Sequence, residues 1–173
     1  MNDNNQSNER EELFKKISSL RDFSNTTDQL FAEYKKYGMQ SIPERDFTDE
    51  LVFKIIEYNP LDFRFLPDLY KSKREYALLA ASLDGWVLQY LPQFNNDFEI
   101  VLAAVSNVGT VLMFASNELK DNKDRCMAAI KTNKVAINFV SPRLASDVEL
   151  IEYVNNPDNY DEFGHGLNDG PIR

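Results

Sequence analysis

A period of 24 to 25 residues constrains the fold of this chain more than any other feature of its sequence. When the chain is laid against itself, an acidic residue recurs at Glu50, Glu75, Glu99, Asp124 and Glu149. In four of these units an aromatic residue follows fifteen positions later, at Phe65, Tyr90, Phe114 and Phe139. Four units in one register indicate a tandem repeat.

Apolar or small residues stand two, five and six positions after each of the first four acids. They are Val52, Ile55 and Ile56, then Ala77, Ala80 and Ala81, then Val101, Ala104 and Val105, then Cys126, Ala129 and Ile130. Spacings of three and four place such residues on one helical stripe. The stripe predicts the core, and it predicts that Cys126 is a buried, unreactive thiol.

Each unit is predicted to contain two helices. A turn at Asn59-Pro60, Asp84-Gly85, Val108-Gly109 or Asn133-Lys134 separates them. Glycine at a helix end suggests left-handed backbone there, and the second helix runs about two turns, with its aromatic residue filling the space beneath. Capping boxes are predicted at Ser72–Glu75, Asn96–Glu99 and Ser146–Glu149, with a variant at Asp121–Asp124.

Two-helix units cannot bury their own apolar faces, so they stack and share a core. The sequence therefore predicts an all-α fold: a short, curved, solenoid-like array over residues 47–154, with units starting near 48, 73, 97, 122 and 147. Residues 1–46 hold two amphipathic helices, at 9–23 and 27–37, that are expected to cap the array. Residues 155–173 are expected to form an irregular tail of a single-domain protein.

The stretch from 97 to 144 resembles a family of short tandem two-helix repeats that is catalogued as a domain of unknown function. The pattern of that family is matched here by Asp97, Glu99, Val101, Ala104, Val105, Gly109, Phe114, Ala115, Ser116, Glu118 and Leu119. The resemblance covers about residues 48–154. It implies a stacked helical fold and carries neither an assigned activity nor catalytic residues.

Composition excludes several function classes. With 28 acidic and 19 basic residues, the net charge of −9 argues against direct binding to nucleic acid. One Cys and one His cannot build a Cys/His zinc site, and no phosphate loop, dinucleotide fingerprint or nucleophile elbow is present. We therefore expect no catalytic activity, no cofactor and no metal. The absence of an apolar span or signal sequence predicts a cytoplasmic protein that does not enter membranes.

Charge and register together predict a protein-binding surface. Between Arg74 and Lys120 there is no Lys or Arg, and this stretch carries five acids. Trp86 falls within it. Three positions further on, the four units carry mostly polar residues: Arg64, Gln89, Met113 and Asn138. Residues three apart share a helix face, so Trp86 and Met113 are expected to border solvent. The candidate partner-binding residues are Asp84, Trp86, Gln89, Asp97, Met113 and Glu118.

Three functional hypotheses follow. The first is a non-catalytic binding module that inhibits a basic protein, as immunity proteins and antitoxins do. The second is an acidic nucleic-acid mimic that blocks a nucleic-acid-binding protein through carboxylates alone. The third, and the least supported, is an enzyme or metal protein that uses the acidic tail containing Asp158, Asp161, Glu162, His165 and Asp169.

Overall fold

The computed structural model describes residues 26–161, 163 and 165. The chain divides into two compact parts, an N-terminal part of residues 1–43 and a repeat part of residues 44–173. In the N-terminal part, helix α1 spans Thr27–Tyr37 as predicted, and Thr26 and Gln29 form a capping box at its start. A 3-10 helix, Met39–Ser41, follows. The helix expected over 9–23 lies outside the described residues.

The repeat part is built from helices throughout its described residues, which confirms the all-α fold. Five longer helices begin repeats 1 to 5: α2 Asp49–Tyr58, α4 Arg74–Leu83, α5 Phe98–Asn107, α7 Lys123–Thr132 and α8 Val148–Asn155. The same side of each helix faces inward, and the stripe residues predicted from the period are fully buried. Consecutive longer helices pack against one another and share this core.

The second helix of each of the first four repeats is a 3-10 helix of six residues. These helices are Pro60–Phe65, Gly85–Tyr90, Gly109–Phe114 and Lys134–Phe139. A third short segment, which the sequence pattern did not predict, follows each one: α3 Asp68–Lys71, the 3-10 helix Pro92–Phe94, α6 Asn117–Lys120 and the 3-10 helix Leu144–Ser146. One further 3-10 helix, Glu44–Asp46, precedes α2.

The 3-10 geometry explains which side chains of these helices reach solvent. Three residues per turn put positions i and i+3 on one edge. In the helix of repeat 2, Gly85 and Leu88 are buried, whereas Trp86 and Gln89 form the outer edge. The aromatic residues were expected to fill the space beneath the helix, and this prediction is wrong: Phe65 is 55% exposed and its three equivalents are half-buried.

The predicted N-caps are wrong by one residue, because each longer helix begins one position further along the chain. The N-caps of the five longer helices are Thr48, Lys73, Asp97, Asn122 and Asp147. The recurring acid is therefore the second helical residue, where its charge favours the positive end of the helix dipole. Asp97 and Asp147 each accept two backbone N–H groups themselves, so neighbouring Asn96 and Ser146 are not needed as caps. The Ser72 hydroxyl instead donates to the Leu69 carbonyl.

The two glycines at the turns serve close packing. Among the described residues the only positive φ belongs to Gly38, so the prediction of left-handed backbone at Gly85 and Gly109 is wrong. A Cβ on Gly85 would lie 2.4 Å from the carbonyl oxygen of Ala104, and one on Gly109 would lie 2.1 Å from that of Ala129. Each glycine therefore lets a 3-10 helix reach the longer helix of the next repeat.

The first residues of the expected tail pack on the last repeats. The 3-10 helix Pro157–Asn159 follows α8, and Tyr160 is buried, with its hydroxyl donating to the Ile130 carbonyl at 2.9 Å. His165 forms an antiparallel bridge with Asn133. These contacts cover the end of repeat 4.

Candidate protein-binding surface

Consecutive 3-10 helices lie side by side, and they carry a series of rings: Trp86 on the outer edge, and one ring at the last residue of each helix. We call this series the aromatic row: Phe65, Trp86, Tyr90, Phe114 and Phe139. The Trp86 ring meets the edge of the Phe114 ring of the next repeat, with 6.3 Å between centroids and 66° between planes. Buried residues on the inner edges of the same helices hold the row in place.

Arg64 ties the first two 3-10 helices together. Its guanidinium lies 4.4 Å from the centre of the Phe65 ring and 5.2 Å from that of Tyr90. Its Nη1 donates to the Tyr90 hydroxyl at 2.7 Å. The cation therefore stacks within the aromatic row and orients two of its rings.

Of the six predicted binding residues, Trp86 belongs to the aromatic row, and Asp84, Gln89 and Met113 lie beside it. Trp86 and Met113 are 41% and 43% exposed, as their register predicts. Asp84 accepts the backbone N–H of Trp86 at 2.9 Å, and the Gln89 amide donates to the Trp86 carbonyl at 3.1 Å. Met113 directly precedes Phe114, the ring that contacts Trp86. The hydrogen bonds to Asp84 and from Gln89 therefore fix the backbone that carries the Trp86 indole.

The other two, Asp97 and Glu118, lie elsewhere. Asp97 caps the start of α5, whereas Gly85, next to Trp86, packs at Ala104 near the end of that helix. Ten helical residues span about 15 Å. Glu118 accepts the side-chain amide of Asn96 at 3.0 Å, which also places it near the start of α5. These two carboxylates do not join the Trp86 group.

Asp97 belongs to a set of contacts between helix starts, which we call the cap seam. There the first helical residue of one repeat contacts the cap or first turn of the next. The charged contacts are Asp49 with Lys73 at 2.6 Å, Arg74 with Asp97 at 2.7 Å and Lys123 with Asp147 at 2.9 Å. Hydrogen bonds from these cations hold the pKa values of all three aspartates below their usual range.

In repeat 4 the cap seam uses an aromatic contact instead. The Arg125 guanidinium lies 3.2 Å from the centre of the Phe98 ring. Arg125 is only 7% exposed, at a position where the other repeats bury Leu51, Tyr76, Ile100 and Leu150. Its Nε has no hydrogen-bond partner among the described residues, and burial lowers its pKa.

The fold brings two cations against the acidic stretch between Arg74 and Lys120, so the surface of this stretch is less negative than its five acids alone would make it. Arg74 binds both Asp97 and Glu99. Lys120, at the far limit of the stretch, folds back so that its Nζ donates to the Met113 carbonyl at 2.8 Å. Sequence analysis missed Arg64, Phe114 and Lys120 as parts of this surface. Phe114 stands at the repeated aromatic position, which is the one signal that could have indicated it.

The other residues of reactive or titratable type have structural roles in the fold. Cys126 is buried, and burial raises the pKa of its thiol to about 11. In the tail, Asp161 accepts the backbone N–H groups of Phe163 and His165, and the His165 Nδ1 lies 3.1 Å from its carboxylate. Glu162 and Asp169 lie outside the described residues.

Two further findings concern the described residues alone. Among them, no group of three or more His, Cys, Asp or Glu side chains is arranged to hold a metal ion. Residues 26–161 also contain no helix that is long and apolar enough to cross a bilayer.

The stacked repeats define an all-α tandem-repeat protein. The chain belongs to the family described as Domain of unknown function (DUF4116), whose profile matches three times, over residues 49–95, 73–120 and 97–145. The matches begin one repeat apart and together span more than half of the chain. Comparison with curated proteins and with solved structures found no significant match.

Proposed function

We propose that this chain is a non-catalytic protein-binding module and that the aromatic row is its binding surface. The observation that supports this most is the pair Trp86 and Met113, each more than 40% exposed on neighbouring 3-10 helices. Trp is the residue type most enriched among binding hot spots, and Met is enriched at interfaces. The Phe114 ring contacts the Trp86 indole, and the Trp86 backbone donates to Asp84 and accepts from Gln89. This order before a partner arrives lowers the entropic cost of binding.

The partner in this proposal is a basic protein, and the module inhibits it in the manner of an immunity protein or antitoxin. The chain carries a net charge of −9, and Asp84 stands directly beside Trp86. Such complementarity speeds encounter and selects the partner. We place the complex in the cytoplasm, where a free thiol such as Cys126 persists.

A mimic of nucleic acid has less support. It requires carboxylates free to occupy a cationic groove, but Arg74 holds Asp97 and Glu99. That hypothesis expects Asp84→Asn and Glu118→Gln to weaken binding more than Trp86→Ala does.

Affinity capture from the native host tests the proposal, with the wild type, Trp86→Ala and Phe53→Ala as baits. Phe53 is 44% exposed on α2, outside the aromatic row, so it controls for loss of an exposed ring. We expect one basic protein to bind the wild type and Phe53→Ala. Trp86→Ala should bind it about 30-fold more weakly, the effect of a hot spot of about 2 kcal/mol.

Salt and folding complete this experiment. Binding should weaken as salt rises, because the charges are screened, and circular dichroism should show that all three baits are folded. A basic partner that binds Trp86→Ala as tightly as the wild type would refute the proposed surface. A gene for that partner beside the gene for this chain would support the inhibitor role.

A further inference from the structure

We propose that Arg125, lying over the Phe98 ring, is a binding site for a carboxylate group at the cap seam. The basis is a guanidinium that the fold buries and orients but leaves without an acceptor among the described residues. The site lies at the starts of α5 and α7, whereas Gly85, next to Trp86, packs near the other end of α5. It is therefore separate from the aromatic row and independent of the proposed function.

The hydrogen-bond donors of Arg125 are unused within the described part of the chain. Its side chain is buried, and neither Nε nor the two Nη atoms donate to a described residue. A guanidinium has five N–H donors, and a buried charge without an acceptor is costly. The helix position does not itself need a cation, since repeats 1 and 5 bury Leu51 and Leu150 there. An acceptor from outside the chain would offset this cost.

The other cations of the cap seam show what such an acceptor is. Arg74 binds two carboxylates at the start of repeat 3, and Lys123 binds two at the start of repeat 5. Asp124, the neighbour of Arg125 in the chain, attracts its charge without a hydrogen bond. Among the described residues, Arg125 thus has no carboxylate in contact, although the seam pairs both neighbouring cations with one.

The geometry favours a carboxylate over a phosphate. The Phe98 ring covers one face of the guanidinium, with 3.2 Å from its centre to the guanidinium carbon, so an acceptor meets the edge of the fork. A planar carboxylate accepts two parallel N–H groups there. Phe98 is 48% exposed, which leaves its ring available to the apolar part of a ligand. The net charge of −9 also disfavours the second negative charge of a phosphate.

Two-dimensional ¹H–¹⁵N NMR of the full chain tests this site through the Nε–H signal of Arg125 and the backbone amide signals around it. The probes are sodium acetate, acetyl-diglycine with a free carboxyl terminus, the amide of that peptide, and inorganic phosphate, all at one ionic strength set with sodium chloride. Acetate represents a free small acid, and acetyl-diglycine represents the carboxyl terminus of a chain.

Three variants complete the design. Arg125→Leu introduces the residue that repeats 1 and 5 carry at this position. Arg125→Lys keeps the charge but removes the planar fork. Lys131→Gln is the matched control, because it removes an exposed cation near the other end of α7. Circular dichroism checks that each variant is folded, and Arg125→Lys carries the test if Arg125→Leu does not fold.

We expect acetate or acetyl-diglycine to shift the Arg125 Nε–H signal saturably, and the tighter of the two identifies the source of the carboxylate. The peptide amide should not bind, and phosphate should bind at least about tenfold more weakly. Lys131→Gln should bind as the wild type does, Arg125→Lys about tenfold more weakly, and Arg125→Leu not at all. No saturable shift with either carboxylate, phosphate binding as tight as theirs, or wild-type affinity in Arg125→Leu or Arg125→Lys would overturn the inference.

Discussion

At the scale of single residues, Gly109 shows how contacts between repeats restrict the sequence. Its backbone lies so close to Ala129 that a methyl group would overlap the carbonyl oxygen. Gly85 has the same relation to Ala104. In repeat 4 the equivalent position is the exposed Lys134, so a glycine is not required there. The need for glycine thus depends on what packs against each 3-10 helix.

Gly109→Ala is expected to lower the free energy of unfolding by about 1–3 kcal/mol, because the helices must move apart to accept the new Cβ. Urea unfolding followed by circular dichroism measures this. Lys134→Ala also places alanine at the equivalent position, but it removes only exposed atoms and should change stability by about 0.5 kcal/mol or less. Equal effects of the two substitutions would contradict the packing role of the glycine.

Cys126 provides a second test at this scale. Burial raises the pKa of its thiol to about 11, and the reactive thiolate is correspondingly scarce near pH 8. We expect an aromatic disulfide reagent to label the folded protein at pH 8 at least about a hundredfold more slowly than the protein unfolded in urea. Rapid stoichiometric labelling of the folded protein would show that this position is not in the core.

At the scale of elements, the sequence predicts the longer helices better than the segments that follow them. The stripe in α5, from Val101 to Val105, recurs with helical spacing, so its burial could be predicted. The second helix is too short for periodicity to distinguish 3-10 from α geometry. The caps were misplaced because Asn96 and Asp97 are both good capping residues, and the sequence pattern does not show that Arg74 of the preceding repeat contacts Asp97.

The cap seam makes stability depend on pH. Arg74 and Lys123 lower the folded-state pKa values of Asp97 and Asp147. A lowered folded pKa means that the stabilisation is complete above the unfolded aspartate pKa of about 3.9 and is lost as pH falls through the folded value. The wild type should therefore lose stability as pH falls from about 5 to below 3.

The double variant Asp97→Asn, Asp147→Asn isolates this effect. Asn keeps an oxygen that can cap each helix but carries no charge for Arg74 or Lys123. Its free energy of unfolding, measured in urea at several pH values, should fall less steeply in acid than that of the wild type. Parallel pH curves for the two proteins would show that these ion pairs do not contribute to acid sensitivity.

At the scale of the whole molecule, the fold brings together charged side chains that are far apart in the sequence. The sequence places five acids and no cation between Arg74 and Lys120, but the fold brings Arg74 against two of those acids and Lys120 against Met113. The exposure of Trp86 could be predicted because Gln89, three residues later on the same helix face, and its equivalents in the other repeats are mostly polar. Its ring contact with Phe114 could not, since that contact depends on how successive 3-10 helices stack.

Hydrogen–deuterium exchange of the complex with the captured basic partner tests the proposed binding surface most directly. We predict that binding slows amide exchange in the 3-10 helices Gly85–Tyr90 and Gly109–Phe114, beneath Trp86 and Met113. Exchange in the first turns of α4 and α5, at the cap seam, should stay the same. Protection confined to those first turns, with both 3-10 helices unchanged, would contradict the assignment of the aromatic row as the binding surface.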